Sequence, residues 1–243
     1  MAYKKLFEPG RIGGLTIRNR AVMSPMGTDL ADIRGNATPR LIAYYTERAK
    51  GGIGLIINEY TGVDDVDSIP TQHNLRMAQD YNVQEAEELT RSVHAYGAKI
   101  FAQLHHGGAT SKSAFTGRQN LSPSGVPMAP GGEVPREMTL EDIKRVQEKF
   151  IAAAIRCKKA GYDGVDHTTA TGTFVHKGVA AVDKRVFPLG SDLYVMAKGM
   201  EYGLTKAEDT GMKGQKIDLY LESYQQCIQF GRRSATVYLL ENS

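Results

Sequence analysis

Tryptophan is missing from this 243-residue sequence, and cysteine occurs only at Cys157 and Cys227. The two form neither a CxxC pair nor any other metal-ligand spacing, so the sequence offers no cysteine-based metal or iron–sulfur module. Cys157 falls within a helical pattern and reads as a small buried hydrophobe. Charge of one sign is not in excess: 30 Lys+Arg against 27 Asp+Glu leave a formal +3. That balance argues against nucleic acid or an anionic membrane surface as a partner. No apolar run reaches the ~18 residues of a membrane span. No charged-then-apolar leader opens the chain either, so the cytoplasm is the expected location.

What is present is alternation. At 41% hydrophobic and 23% charged residues the composition suits an ordinary soluble globular domain. Arg20–Met26 reads as a short strand closed by Pro25. Thr38-Pro39 starts a helix, with a hydroxyl cap and Pro at the first helical position. Leu41, Tyr44, Tyr45 and Ala49 continue it to Gly51-Gly52. Gly54–Asn58 is a second strand, and Gln84–Tyr96 a second helix with Ala86, Leu89 and Val93 on one face. Gly97 closes that helix before the strand Lys99–Gln103.

Ser111–Arg136 is a Gly/Pro/Ser-rich excursion of about 25 residues, too long for an ordinary connection and expected to be a lid or capping hairpin. Thr139-Leu-Glu-Asp142 resembles a capping box with Asp at its last position. Ile143, Val146, Phe150, Ala154 and Cys157 follow at helical spacing, Gly161 stops the helix, and Asp163–Asp166 begins a fourth strand. Apolar strands alternating with helices are the sequence form of right-handed βαβ units on a parallel sheet. No GxGxxG follows the first strand, which counts against a dinucleotide-binding sheet. Polar and Gly-rich residues gather after the strand ends, where (β/α) barrels place their chemistry.

The densest of those ends is Lys99-Ile-Phe-Ala-Gln-Leu-His-His-Gly-Gly-Ala109. Gln103 offers a donor and an acceptor to a planar heterocycle. Gly107 and Gly108 allow close approach of the backbone. His105 and His106 do not suggest a metal, because neighbours on an extended strand point to opposite faces. Asp64-Asp65 reads as a solvated loop, Glu85, Glu87 and Glu88 as a wet helix face, and His94 as a residue suited to a helix C-terminus.

Leu6-Phe-Glu-Pro9 with Leu15–Met26 resembles the opening of the Old Yellow Enzyme family of FMN-dependent NADH:flavin oxidoreductases. Gln103–Gly108, Met138–Ile143 and Ala160–Val165 resemble that family's third-strand motif and the helix and strand that follow. The likeness runs from about Leu6 to Gly172. It implies a (β/α)8 TIM barrel with FMN at its C-terminal mouth and NAD(P)H as reductant. The implied activity is hydride transfer through the flavin to an activated alkene or enone. Carried over by position, Ser24, Pro25, Met26 and Gly27 pass beneath or beside the flavin ring, Gln103 bonds its pyrimidine edge, and Tyr60 stands where the family has a small residue. In the fourth strand, Thr168 and Thr171 fall at the two substrate-binding positions. Thr173 replaces a proton-donating tyrosine, and His167 is one residue out of step.

Asp183-Lys-Arg185 echoes a family motif, and the likeness ends there. The expected organisation is residues 1–185 as the N-terminal half of an FMN-binding barrel, with 111–136 as its lid. Residues 186–243 are expected to be a divergent tail with a helix over Ile217, Leu221, Tyr224 and Ile228 and a strand over Thr236–Leu240. A barrel takes ~250 residues, so the expectation is an incomplete one of four to five strands, truncated or altered in reading frame. Its partners are then a small-molecule substrate and another copy of the chain, with no nucleic acid and no membrane. The alternative is a non-catalytic barrel fragment that pairs with another chain.

Overall fold

A computed structural model describes residues 3–123, 125–128, 130–166, 177–198, 200–209, 212, 215–221, 226, 229–230 and 233–240. The elements run α1 (Lys4–Phe7), β1 (Gly10–Ile12), β2 (Leu15–Ile17), β3 (Val22–Met23), α2 (Pro39–Lys50), β4 (Leu55–Gly62) and α3 (Val83–His94). There follow β5 (Lys99–His105), α4 (Ser113–Thr116), β6 (Leu121–Ser122), β7 (Arg136–Glu137), α5 (Leu140–Lys159) and β8 (Gly164–Asp166). The last five are β9 (Val179–Val182), β10 (Asp192–Ala197), β11 (Met200–Asp209), β12 (Ile217–Leu219) and β13 (Ala235–Leu239). Where composition suggested one domain, the chain divides into two compact units, residues 1–166 and 167–243.

In the first unit the helices begin where their caps dictate. Thr38 Oγ1 accepts the Leu41 amide at 3.2 Å, and Pro39 opens α2. At α5, Asp142 N donates to Thr139 Oγ1 at 3.1 Å while Thr139 N donates to Asp142 Oδ2 at 2.9 Å. This is a reciprocal capping box with Asp in the usual Glu/Gln place. The strands form one parallel sheet in the order β3-β4-β5-β8. This is four consecutive strands of a (β/α) barrel.

One face of that sheet packs on the helices. Ile56, Ile100 and Ala102 meet Leu41 and Tyr45 of α2, Leu89 and Val93 of α3, and Ala153 and Cys157 of α5 in a single buried cluster. On the opposite face Ile57, Phe101 and Gly164 share a level. There the Phe101 ring lies over Gly164, where a Cβ would come within 2.8 Å of it. Burial pushes the Cys157 thiol up to about 12, consistent with an inert packing residue.

Two local features differ from the expectations. β1 and β2 form an antiparallel hairpin across Gly13-Gly14, with Gly13 at φ +56°. Two glycines between short strands are a hairpin signal. The 111–136 excursion carries α4, and β6 in its middle pairs in parallel with β7 at its C-terminal end, so these two strands are not the arms of a hairpin.

The second unit is a five-stranded sheet of order β12-β9-β11-β10-β13 around Ala180, Val182, Leu193 and Ala207. Ile217 opens strand β12, antiparallel to β9, so pairing overrides the helical stripe at its first residue, while the described Gln226, Gln229 and Phe230 further on are helical. Tyr224 and Ile228 of that stripe lie outside the described residues. The expected final strand is present as β13. Among the described residues no helix is long and apolar enough to cross a membrane.

Leu89 is fully buried where α3 meets the sheet. Truncation to Ala leaves a cavity that the rigid sheet cannot close. Leu89→Ala is therefore expected to lower unfolding free energy by about 2–5 kcal/mol. Urea denaturation followed by circular dichroism would read this as an earlier transition.

Candidate active site at the strand tips

At the C-terminal ends of the parallel strands, Tyr60, Gln103 and Asp166 come to one level. Tyr60 registers with Gln103, and Gln103 with Asp166. Gln103 Nε2 donates to Asp166 Oδ2 at 3.1 Å, which fixes the carboxamide rotamer. A carboxamide nitrogen carries two hydrogens, so Asp166 takes one and leaves the other, with the Oε1 acceptor, for a ligand edge. Asp166 is buried, and it was not among the expected site residues. Its sequence signal was the alternation Gly164-Val-Asp166, which puts residue 166 on the same face as 164.

Two residues beyond Gln103 on the same face, the His105 ring meets the Tyr60 ring at 5.2 Å between centroids. Its Nδ1 is buried without a hydrogen-bond partner. Burial, reinforced by the charge of neighbouring His106, pushes the His105 pKa down to about 4. The imidazole is therefore neutral near pH 7. An orphaned neutral nitrogen at a strand tip is suited to a ligand hydrogen bond.

Tyr60 is tightly placed. Its hydroxyl lies 3.2 Å from Thr71 Oγ1, and its ring fills the space a Cβ on Gly27 would need. Ser24, Met26 and Gly27 are exposed beyond β3, and Pro25 is half-buried. The structure thus brings Gly27, Tyr60 and His105 together, with Gln103 and Asp166 beside them on the same sheet. His167, Thr168, Thr171 and Thr173 lie outside the described residues.

A buried ionic cluster supports this mouth, and here the sequence expectation of a solvated Asp64 fails. Asp64 is fully buried, with Lys149 Nζ of α5 at 2.5 Å and Arg145 at 3.9 Å. His106 Nε2 stands 3.8 Å from its other oxygen. Burial alone would raise the Asp64 carboxyl; His106, Lys149 and the Val66 amide outweigh it and hold the group well below the usual carboxylate range. Arg145 continues the cluster to Asp67 at 2.7 Å and Asp142 at 3.1 Å. The loop after β4 is thereby tied to α5. The signal missed was the spacing of Arg145 and Lys149, one turn apart on the helix. His94, expected only as a helix-end residue, pairs its Nε2 with Asp163 Oδ2 at 2.6 Å.

The residues present fit the ring end of a flavin on this chain's own geometry. Gln103 is a pre-oriented donor–acceptor, His105 has an orphaned nitrogen, and the Ser24–Gly27 backbone is exposed beside them. Tyr60 narrows the space between.

Comparison with known proteins adds to this geometry. Residues 5–182 match the family model of the NADH:flavin oxidoreductase / NADH oxidase family. Residues 178–241 match a second model, the 3D domain. An NADH oxidase of Thermoanaerobacter brockii is 44% identical over 174 residues, which are 71% of this chain and 27% of that protein. A cinnamate reductase of Clostridium sporogenes is 39% identical over 171 residues, 68% of this chain and 26% of that one. The solved old yellow enzyme homologue from Zymomonas mobilis superposes with a TM-score of 0.62 at 32% identity, over 70% of this chain and 50% of its own.

The chain therefore spans under a third of those two curated relatives and half of that solved barrel. The tail, expected to be divergent, matches the 3D domain model over residues 178–241. Asp183-Lys-Arg185 falls within that second match and past the end of the first.

A methyl group at residue 27 must displace the Tyr60 ring. Gly27→Ala is expected to lower stability by about 1–3 kcal/mol, the usual range for overpacking. Gly27→Ala combined with Tyr60→Ala should recover most of the overpacking penalty. Thermal melts of the two variants, with Tyr60→Ala alone as reference, check the contact.

Proposed function

The chain belongs to the NADH:flavin oxidoreductase / NADH oxidase family, and from that premise we propose that it is a cytoplasmic FMN-dependent NAD(P)H oxidoreductase reducing an activated alkene or enone. The observation that carries this reading is the single level of Tyr60, Gln103 and Asp166, with Asp166 orienting the Gln103 carboxamide. FMN, when bound, supplies hydride exchange between a nicotinamide and an acceptor. The name of the cinnamate reductase relative, a protein matched over a quarter of its length, supports an alkene conjugated to a carboxyl group as the substrate class.

In this reading Gln103 binds the polar edge of the ring, and the Ser24–Gly27 backbone lines its side. Tyr60 and His105 close the mouth against water. Asp166 keeps Gln103 in its rotamer. His167, Thr168 and Thr171 follow Asp166 directly in sequence and supply donors to the substrate's activating carbonyl. Negative charge develops on that oxygen as the alkene is reduced. Loss of one such donor typically slows a reaction about 100- to 1,000-fold. Residues 178–241 are read as a separate appended module.

One observation favours the second reading, a non-catalytic half-barrel that pairs with another chain. Among the described residues β3 and β8 each have a neighbour on one side only.

Purified protein mixed with FMN separates the two. The expected result is a yellow protein whose flavin absorbance bleaches when NADH is added without oxygen. Gln103→Ala should weaken FMN binding about 10-fold, the worth of one ring-edge hydrogen bond. A colourless protein that takes up no FMN would reject the oxidoreductase reading. Elution as a dimer in gel filtration would then support the paired fragment.

A further inference from the structure

We propose that Glu59 is the positioning residue of the flavin cradle: its buried carboxylate holds the turn after β3 in the shape that faces the ring. The proposal rests on the FMN reading above and extends it to a residue that touches no ligand.

The geometry begins with a bulge. In the β4–β5 ladder Asn58 registers with Ala102 and Tyr60 with Gln103, so Glu59 has no opposite number. A bulged residue leaves the ladder and re-aims its neighbours. The orphaned Glu59 N–H donates instead to Tyr45 Oη of α2 at 2.8 Å. The side chain is fully buried. Its Oε2 accepts the Thr28 amide at 2.7 Å, and its Oε1 accepts the Leu75 amide at 3.1 Å. One carboxylate thus ties the Ser24–Thr28 turn to the segment that carries Thr71, the partner of the Tyr60 hydroxyl.

Among the described residues Glu59 makes no salt bridge, so the Thr28 hydroxyl and the Thr28 and Leu75 amides hold its charge. The groups facing it are Tyr45 from α2, Asp29 from the turn, and Tyr162 from the approach to β8. None is cationic. Burial, with a smaller contribution from Asp29, raises the Glu59 pKa against the Thr28 hydroxyl and the Thr28 and Leu75 amides that lower it.

The ionised form offers both oxygens as strong acceptors, whereas protonation turns one into an O–H donor with weaker acceptor capacity and so weakens one of the two amide bonds. The sign follows from proton linkage. The folded protein binds this proton more tightly than the unfolded chain, so acidification through the Glu59 pKa adds to global stability. The same protonation releases Thr28 or Leu75 and loosens the cradle. Stability and cofactor affinity therefore move in opposite directions, a signature that a purely structural carboxylate would not give.

The experiment uses the full-length protein and Glu59→Gln, an isosteric variant that cannot ionise. Amide resonances of Thr28 and Leu75 are followed by NMR from pH 4 to 8. FMN binding is followed over the same range by quenching of flavin fluorescence. The expected result is a shared midpoint for both amides, above the ordinary glutamate value, and its absence in Glu59→Gln. Wild-type FMN affinity should fall about 10-fold as the pH drops through that midpoint, while Glu59→Gln, which lacks the second acceptor oxygen, stays at the lower affinity throughout. Amides that do not titrate, or titrate equally in Glu59→Gln, overturn the proposal. So does an amide titration with no accompanying change in affinity. Protein that binds no FMN at any pH sinks the cofactor reading instead, and the amides alone then decide whether Glu59 holds the turn.

Discussion

The register between β4 and β5 is the constraint on which the rest depends. Up to Asn58 the two strands advance residue for residue, and one extra residue then moves Tyr60 opposite Gln103. Because side chains alternate across a strand, one residue more or fewer would send Tyr60 to the helix side. The bulge is stabilised from below by the Tyr45 hydroxyl, a core residue of α2. Core packing and the level of the candidate site are thus one problem. The same tyrosine that fills the space between α2 and the sheet also satisfies the backbone where the ladder breaks.

The mouth of the sheet is held by charge rather than by apolar contact. Asp64, Asp67 and Asp142 share Arg145 and Lys149 of α5. An isolated buried carboxylate is expensive, so this cluster persists because every member is paired. It anchors the loop after β4, and Ser68 of that loop accepts the Gly107 amide just past β5. Two strand tips are therefore fixed relative to each other by a helix packed on the opposite face of the sheet from Gln103. Rigid support of this kind allows a polar ligand group such as Gln103 to be placed in advance of binding.

Much of the first unit was legible because its signals are local. Thr38-Pro39 and Thr139–Asp142 mark helix starts by side-chain chemistry. The Leu89 and Cys157 stripes mark buried faces, and glycines mark the stops. Asp64 was misread because its partners lie far along the chain, on α5, and no window of sequence contains both. Asp166 and Glu59 were missed for a related reason: their roles come from register between strands, which periodicity does not specify. In the second unit the helical stripe from Ile217 gives way at its start to pairing with β9, which no local window contains. Resemblance pointed to the Ser24–Gly27 and Gln103 stretches, and geometry added the residues that hold them, Glu59 at Thr28 and Asp166 at Gln103.

The stacked pair Phe101 and Gly164 carries an evolutionary corollary. Phe101 covers the one position of β8 that has no side chain, and the two share a level of the sheet face opposite the helices. A lineage that enlarges residue 164 must first accept a smaller residue 101, since the reverse order drives a methyl group into an aromatic ring. Sterics thereby fix the order of the two steps, and the bulk of this layer can migrate from one strand to its neighbour along only one of the two paths.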